Sequence, residues 1–129
     1  MLRYKRIYEP VEREDGVRIL VDRLWPRGLK RKNAAFDEWL KIIAPSNELR
    51  KWYRHHAERW SEFEARYRGE LTSAEAVREL GRLREIAASG TLTLLTATRA
   101  IETSHLAVLR ELLGQPLTGQ GGVVGAYEL

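Results

Sequence analysis

Apolar positions along the chain follow two different periods. Leu2 to Tyr8 reads as a first strand, and Val17 to Asp22, built around the run Ile19-Leu20-Val21, as a buried second one, with the Asp15-Gly16 turn between them. A parallel crossover usually takes a dozen or more residues, and Glu9 to Gly16 is shorter. The pair is therefore either antiparallel or joined by one abbreviated helical turn beginning at Pro10. Phe36 to Ala44 suits both periods: Phe36, Trp39, Leu40 and Ile43 fit a helix face, whereas the short length and the Ile42-Ile43 pair favour a strand, the preferred reading.

Helical spacing dominates from Ser46, a residue suited to an N-cap. Leu49, Trp52, Tyr53, His56, Trp60, Phe63, Tyr67 and Leu71 follow in steps of three and four, which predicts one amphipathic helix. Ser73 caps a further helix to about Ser89, with Ala76, Leu80, Leu83 and Ala87 inward and Gly90 suited to a left-handed C-terminal position. Thr91 to Ala97 reads as an interior strand, and Thr103 or Ser104 opens a last helix with Leu109, Leu112 and Leu113 inward. Trp39, Trp60, Phe63, Leu94 and Leu109 are assigned to the core. Helix feeding strand feeding helix makes this an α/β chain.

Length confines these elements to one domain: 129 residues bury a real core and are too few for two. That domain is expected over residues 1–113, followed by a Gly-rich flexible tail over 114–129 in which Val123 and Val124 are candidates for an edge pairing. There is no cysteine, which excludes disulfides, thiolate chemistry and cysteine-held metals. Met1 to Arg6 alternates basic and apolar residues, so neither a signal peptide nor a membrane span is expected, and the protein is placed in the cytoplasm. Net charge is +4, which favours anionic partners. The most one-sided stretch is Arg23 to Lys32, with Arg23, Arg27, Lys30, Arg31 and Lys32 and no acid.

The stretch from Gly16 to Gly28, Gly-Val-Arg-Ile-Leu-Val-Asp-Arg-Leu-Trp-Pro-Arg-Gly, closely resembles the signature of the YeaO-like branch of the bacterial domain of unknown function 488 family. Ala44-Pro45-Ser46 with Glu48-Leu49-Arg50, then Trp60, Phe63 and Tyr67, and Thr93-Leu94-Leu95 followed by Ser104-His105 extend the likeness over residues 1 to about 113. The resemblance implies a compact Rossmann-like three-layer domain with a short, mostly parallel sheet and flanking helices, and no established activity. The wider family looks as if it carries cysteines at one strand end and before a histidine. The matching places here hold Thr96, Ser104 and His105, so a thiol mechanism is closed to this chain.

Open α/β sheets bind ligands beyond the carboxyl ends of their strands. One such end delivers Asp22, Arg23, Trp25 and Arg27, and another Thr96, Thr98 and Arg99, followed by His105 in the first turn of the last helix. Trp25-Pro26-Arg27-Gly28 has Pro and Gly where a type I turn prefers them, beside guanidinium groups able to grip an anion at two points. His105 and Asp22 are the candidates for proton exchange. Arg23, Trp25, Arg27, Lys30, Ser46, Arg50 and Arg99 are the candidates for ligand binding. The bland alternatives are a solvated loop in which Arg23 pairs with Asp22, and a packed His105.

His55 and His56 diverge by about 100 degrees on a helix and cannot ligate one metal from one face. No metal, nucleotide-loop or nucleophile-elbow motif is present, and no cofactor is expected. Three functions compete: a binder or enzyme for a small anionic, phosphate- or nucleotide-like ligand; a nucleic-acid-associated module contacting phosphates through Arg23 to Lys32; and a non-catalytic interaction subunit. Basic groups meeting in a concavity favour the first, and a convex stripe the second.

Overall fold

All five side chains of β4 (Leu92–Thr96) are buried, and its threonines tolerate this because each hydroxyl has a partner. Thr93 donates to the Asp15 carbonyl and Thr96 to Asp22 Oδ1, both at 2.7 Å. In the computed structural model, which describes residues 1–114, β4 is central. It pairs with β1 (Leu2–Arg6) on one side and β2 (Val17–Leu20) on the other, and β3 (Glu38–Trp39) adds to β2, giving the order β1-β4-β2-β3 with every pairing parallel.

The first two strands are therefore neither antiparallel nor neighbours, since β4 lies between them. Of the two expected connections the abbreviated helical turn is the one present: a 3-10 turn at Arg13–Asp15, not at Pro10. So short a link suffices because it crosses only two strand spacings, about 10 Å, without carrying a full helix. Gly16 completes it at φ 61, where an added Cβ would sit 2.3 Å from the Thr91 carbonyl oxygen. Residues 36–44 divide between both expectations, with two residues of strand and then a 3-10 turn at Lys41–Ile43 that buries Ile43.

The helix expected from Ser46 is broken. Ser46 Oγ accepts the Leu49 N–H at 3.1 Å as its cap, but α1 (Asn47–Tyr53) ends at Arg54 and His55, both left-handed, at φ 42 and 59. A 3-10 turn at Ala57–Arg59 then leads into α2 (Trp60–Glu70). On one straight helix the ten-residue separation of Tyr53 and Phe63 would be about 15 Å. The break lets their rings stack at 4.3 Å. His56, counted in the apolar stripe, is exposed.

Ser73 Oγ caps α3 (Ala74–Ser89) through the Ala76 N–H. Gly90 is extended at φ −179, not left-handed, and its carbonyl accepts the Met1 ammonium at 2.6 Å instead. A 3-10 turn at Ile101–Thr103 precedes α4 (His105–Gly114).

The four helices share one core with Ile19, Val21, Leu92 and Leu94 on one sheet face. The opposite face buries Ile7, Leu20 and Leu95 beneath Leu29, Phe36 and Trp39, a layer of loops and 3-10 turns. The result is an α/β domain with helix, sheet and loop layers. Phe63, Leu94 and Leu109 are buried, whereas Trp39 and Trp60 are half-buried at the margins. No helix among the described residues is long and apolar enough to cross a membrane. The expected tail and the Val123-Val124 pairing lie outside the described residues.

Candidate functional site

The crossing order of the sheet creates a divergence at one edge. Val21 and Asp22 still follow β4, but Arg23 turns to the Ala44 and Pro45 carbonyls beyond β3, while beyond Thr96 the chain leads into α4, whose Arg110 lies over the Tyr4 ring of β1. Such a divergence leaves a crevice at the carboxyl ends of two adjacent strands. Here it is a depression of about 620 Å³.

Asp22 closes its floor. Its Oδ1 accepts the Thr96 hydroxyl and its Oδ2 the Ala97 N–H, each at 2.7 Å, and His105 Nε2 lies 3.2 Å from Oδ1. Burial pushes the carboxyl up, but His105, the Ala97 N–H and the Thr96 hydroxyl outweigh it and hold Asp22 below the usual carboxylate value. His105 is itself buried, with Nε2 2.7 Å from the Val21 carbonyl oxygen and its ring edge-on to Tyr67. Both nearby atoms are acceptors, so Nε2 carries the hydrogen.

The Thr96 and Ser104 hydroxyls are both occupied. Thr96 Oγ1 accepts the Thr98 N–H while donating to Asp22. Ser104 Oγ donates to the Ile101 carbonyl and accepts the Leu106 N–H, serving as the cap of α4. Neither is held as a nucleophile against His105.

Arg23 does not pair with Asp22. Its Nη2 donates to the Ala44 carbonyl at 2.7 Å and its Nε to that of Pro45 at 3.2 Å, which fastens the basic loop to the start of α1. The loop turns one residue later than its sequence suggests: the Leu29 N–H reaches the Pro26 carbonyl, with Gly28 third in the turn at φ 78, as a type II turn requires. Trp25 leans edge-on against Trp39 and Phe36, its N–H donating to the Leu29 carbonyl. Tyr8 donates to the Arg27 carbonyl.

Asp22, Arg23, Trp25, Arg27, Arg50 and His105 all line the depression. Lys30, Ser46 and Arg99 do not. Lys30 begins the 3-10 turn at Arg31–Asn33, Arg99 is exposed elsewhere, and Ser46 turns to a second hollow where Glu70 takes both its N–H and its hydroxyl.

Sequence reasoning missed Arg54 and His55, which line the same depression because the chain is left-handed there. The available signal was the absence of a large apolar side chain from Arg54 to Arg59. Four arginines thus surround one carboxylate. Among the described ion pairs Arg27, Arg50 and Arg54 have no acidic partner; Arg50 reaches only Asn47 Oδ1, at 3.4 Å. No group of three or more His, Asp or Glu side chains able to hold a metal occurs among the described residues.

Comparison with known proteins places these residues in a family. A family model described as the inactive DUF488-N3 subclade matches residues 1–125. The uncharacterized protein Rv3073c of Mycobacterium tuberculosis (strain ATCC 25618 / H37Rv) is 44% identical over 112 residues, covering 87% of this chain and 92% of its own. The uncharacterized protein YeaO of Escherichia coli (strain K12) is 45% identical over 109 residues, covering 84% and 93%. No solved structure matches the chain.

Proposed function

The chain belongs to the inactive DUF488-N3 subclade, and from that premise we propose that it is a binding protein, without turnover, for a small anionic ligand of the phosphate or nucleotide class. The observation that carries this reading is the meeting of Arg27 from the basic loop with Arg50 and Arg54 from α1 and its end on one concavity, none of them paired with a carboxylate among the described residues. Guanidinium groups left uncompensated in a recess concentrate anions and grip them at two points. Trp25, Pro26, Pro45 and Phe63 supply apolar wall for the rest of a ligand.

Commitments within the site support binding without covalent catalysis. Asp22 is held below the usual carboxylate value and accepts at both oxygens, and the Thr96 and Ser104 hydroxyls are bound to backbone or carboxylate, so no activated nucleophile stands among the described lining residues. Lys30 and Lys32 are exposed outside the recess and offer only scattered point charges to a nucleic acid.

A thermal-shift titration with inorganic phosphate and nucleoside monophosphates, at constant ionic strength, tests the reading. Stabilisation by mass action that disappears in Arg27→Ala/Arg54→Ala supports it. No shift with any anion, together with tight salt-sensitive binding of oligonucleotides, favours the nucleic-acid alternative.

A further inference from the structure

The hydrogen bonds of His105 reach past the charge of the ligand to its second functional group. The Val21 carbonyl and the Asp22 carboxylate both face Nε2, at 2.7 and 3.2 Å, and each is an acceptor. The ring hydrogen therefore sits on Nε2, and in neutral imidazole the other nitrogen is then an acceptor. Nδ1 has no hydrogen-bond partner among the described residues, nor does it count among their enclosed unpaired polar atoms, which are Tyr4 Oη, Arg18 Nη2 and Arg84 Nε. His105 borders the depression. The Nδ1 lone pair is thus unpartnered on a residue that borders the recess holding the arginines.

We infer that His105 Nδ1 is a specificity determinant accepting a hydrogen bond from the ligand, which is therefore a hydroxylated phosphate, such as a sugar phosphate, in preference to a bare anion. The inference rests on the anion-binding reading above and narrows it. Arginines supply only donors, and the side-chain acceptors of Asp22, Thr96 and Ser104 are each already engaged at least once, whereas Nδ1 has no partner among the described residues. A ligand hydroxyl placed there completes an acceptor that would otherwise lose water on closure of the site. A recess of about 620 Å³ also exceeds what a lone inorganic anion fills and suits a phosphorylated sugar. Asp22 acts through His105 as a positioning residue, fixing the tautomer.

The test uses the full chain at pH 8. Nitrogen-15 imidazole spectra are expected to show His105 protonated at Nε2 and bare at Nδ1, with the Nδ1 signal shifting on addition of ribose 5-phosphate. Calorimetry is expected to give ribose 5-phosphate about tenfold tighter binding than inorganic phosphate, the worth of one well-made hydrogen bond. His105→Phe should remove that preference. A proton on Nδ1, equal affinity for the two ligands, or a preference that survives in His105→Phe overturns the inference while leaving anion binding intact. If neither ligand binds, or Arg27→Ala changes nothing, the anion reading fails and this inference with it. Should His105→Phe not fold, the wild-type tautomer and the affinity ratio still decide.

Discussion

The Thr96 hydroxyl donates to Asp22 Oδ1 at 2.7 Å, tying together the ends of two adjacent parallel strands at the floor of the depression. Because Asp22 is held below its ordinary value of 3.8, its contribution to stability is fully present above that pH and is lost as pH falls through the lowered native value. Asp22→Asn should therefore destabilise the protein at pH 7 by about 1.5 to 3 kcal/mol and flatten the acid limb of its stability profile. Urea melts between pH 2 and pH 7 read both effects; an unchanged acid limb would assign that limb to other carboxylates.

A second carboxylate carries a larger expectation. Asp15, fully buried, receives Lys5 Nζ at 3.0 Å and the Arg18 guanidinium, and Arg3 stands 3.7 Å away. Burial raises its pKa, but the Glu12 N–H bond, Lys5 and Arg18 overcome this and lower it. Asp15→Asn leaves the buried Arg18 guanidinium without an acidic partner and Lys5 with Glu12 alone, and should cost about 3 to 5 kcal/mol at pH 7, a cost that shrinks below the ordinary carboxylate pKa as the wild-type carboxyl itself is protonated. Chemical denaturation of the pair at pH 7 and pH 3 measures the difference.

The broken helix predicts an unequal pair of aromatic truncations. Phe63 is buried between Tyr53 and Tyr67 with centroids at 4.3 and 5.8 Å, so Phe63→Ala should cost about 3 to 5 kcal/mol. Trp60 is half-buried at the margin of the same stack and should cost less. Equal costs in denaturant melts would mean that the margin is as tightly packed as the centre.

His55 adopts φ 59 without being glycine, a conformation costing an ordinary residue roughly 1 to 2 kcal/mol. His55→Gly should raise stability by about 0.5 to 1 kcal/mol, some of the relief being offset by unfolded-state entropy and by the lost contact with Tyr53 at 5.7 Å. Thermal melts decide; a loss of stability would show that the ring contact outweighs the backbone strain.

Burial and period explain which parts of this architecture were readable in sequence. The Ser73-capped helix announces itself because it is long and periodic, and the Leu92–Thr96 run because leucines among threonines suit a short interior strand. The Arg54–His55 break was masked because the aromatic steps on either side stay in helical phase, the lack of a large apolar side chain from Arg54 to Arg59 being its local mark, and the stacking of Tyr53 on Phe63 goes with the kinked path. The place of β4 between β1 and β2 depends on long-range pairing that no local pattern encodes. At the site, Asp22, Arg27 and His105 were legible because strand ends can be located from hydrophobic runs. Arg54 and His55 were not, since they reach the depression only through that break, and Arg99 was misplaced because the loop after β4 carries it outward.

Replacing Arg27 by lysine separates a shaped anion site from a diffuse basic surface. Arg27 occupies a turn secured by the Tyr8 hydroxyl on its carbonyl and by the Pro26 to Leu29 hydrogen bond, and no carboxylate among the described ion pairs competes for its guanidinium. Lysine keeps the charge but replaces the planar two-point contact with a single hydrated ammonium. If the depression holds phosphate, Arg27→Lys should weaken binding about tenfold with no change in fold stability, because the side chain is exposed and buries nothing. Were the same residue part of a nucleic-acid stripe, each phosphate contact would act as a point charge. Arg27→Lys would then bind oligonucleotides as well as wild type does, and Arg27→Ala would lower the salt slope by about one unit. Titration calorimetry with phosphate and with an oligonucleotide, each across a salt series, distinguishes the outcomes. Phosphate affinity unchanged in Arg27→Lys would show that Arg27 acts by charge alone and remove the two-point contact from the site.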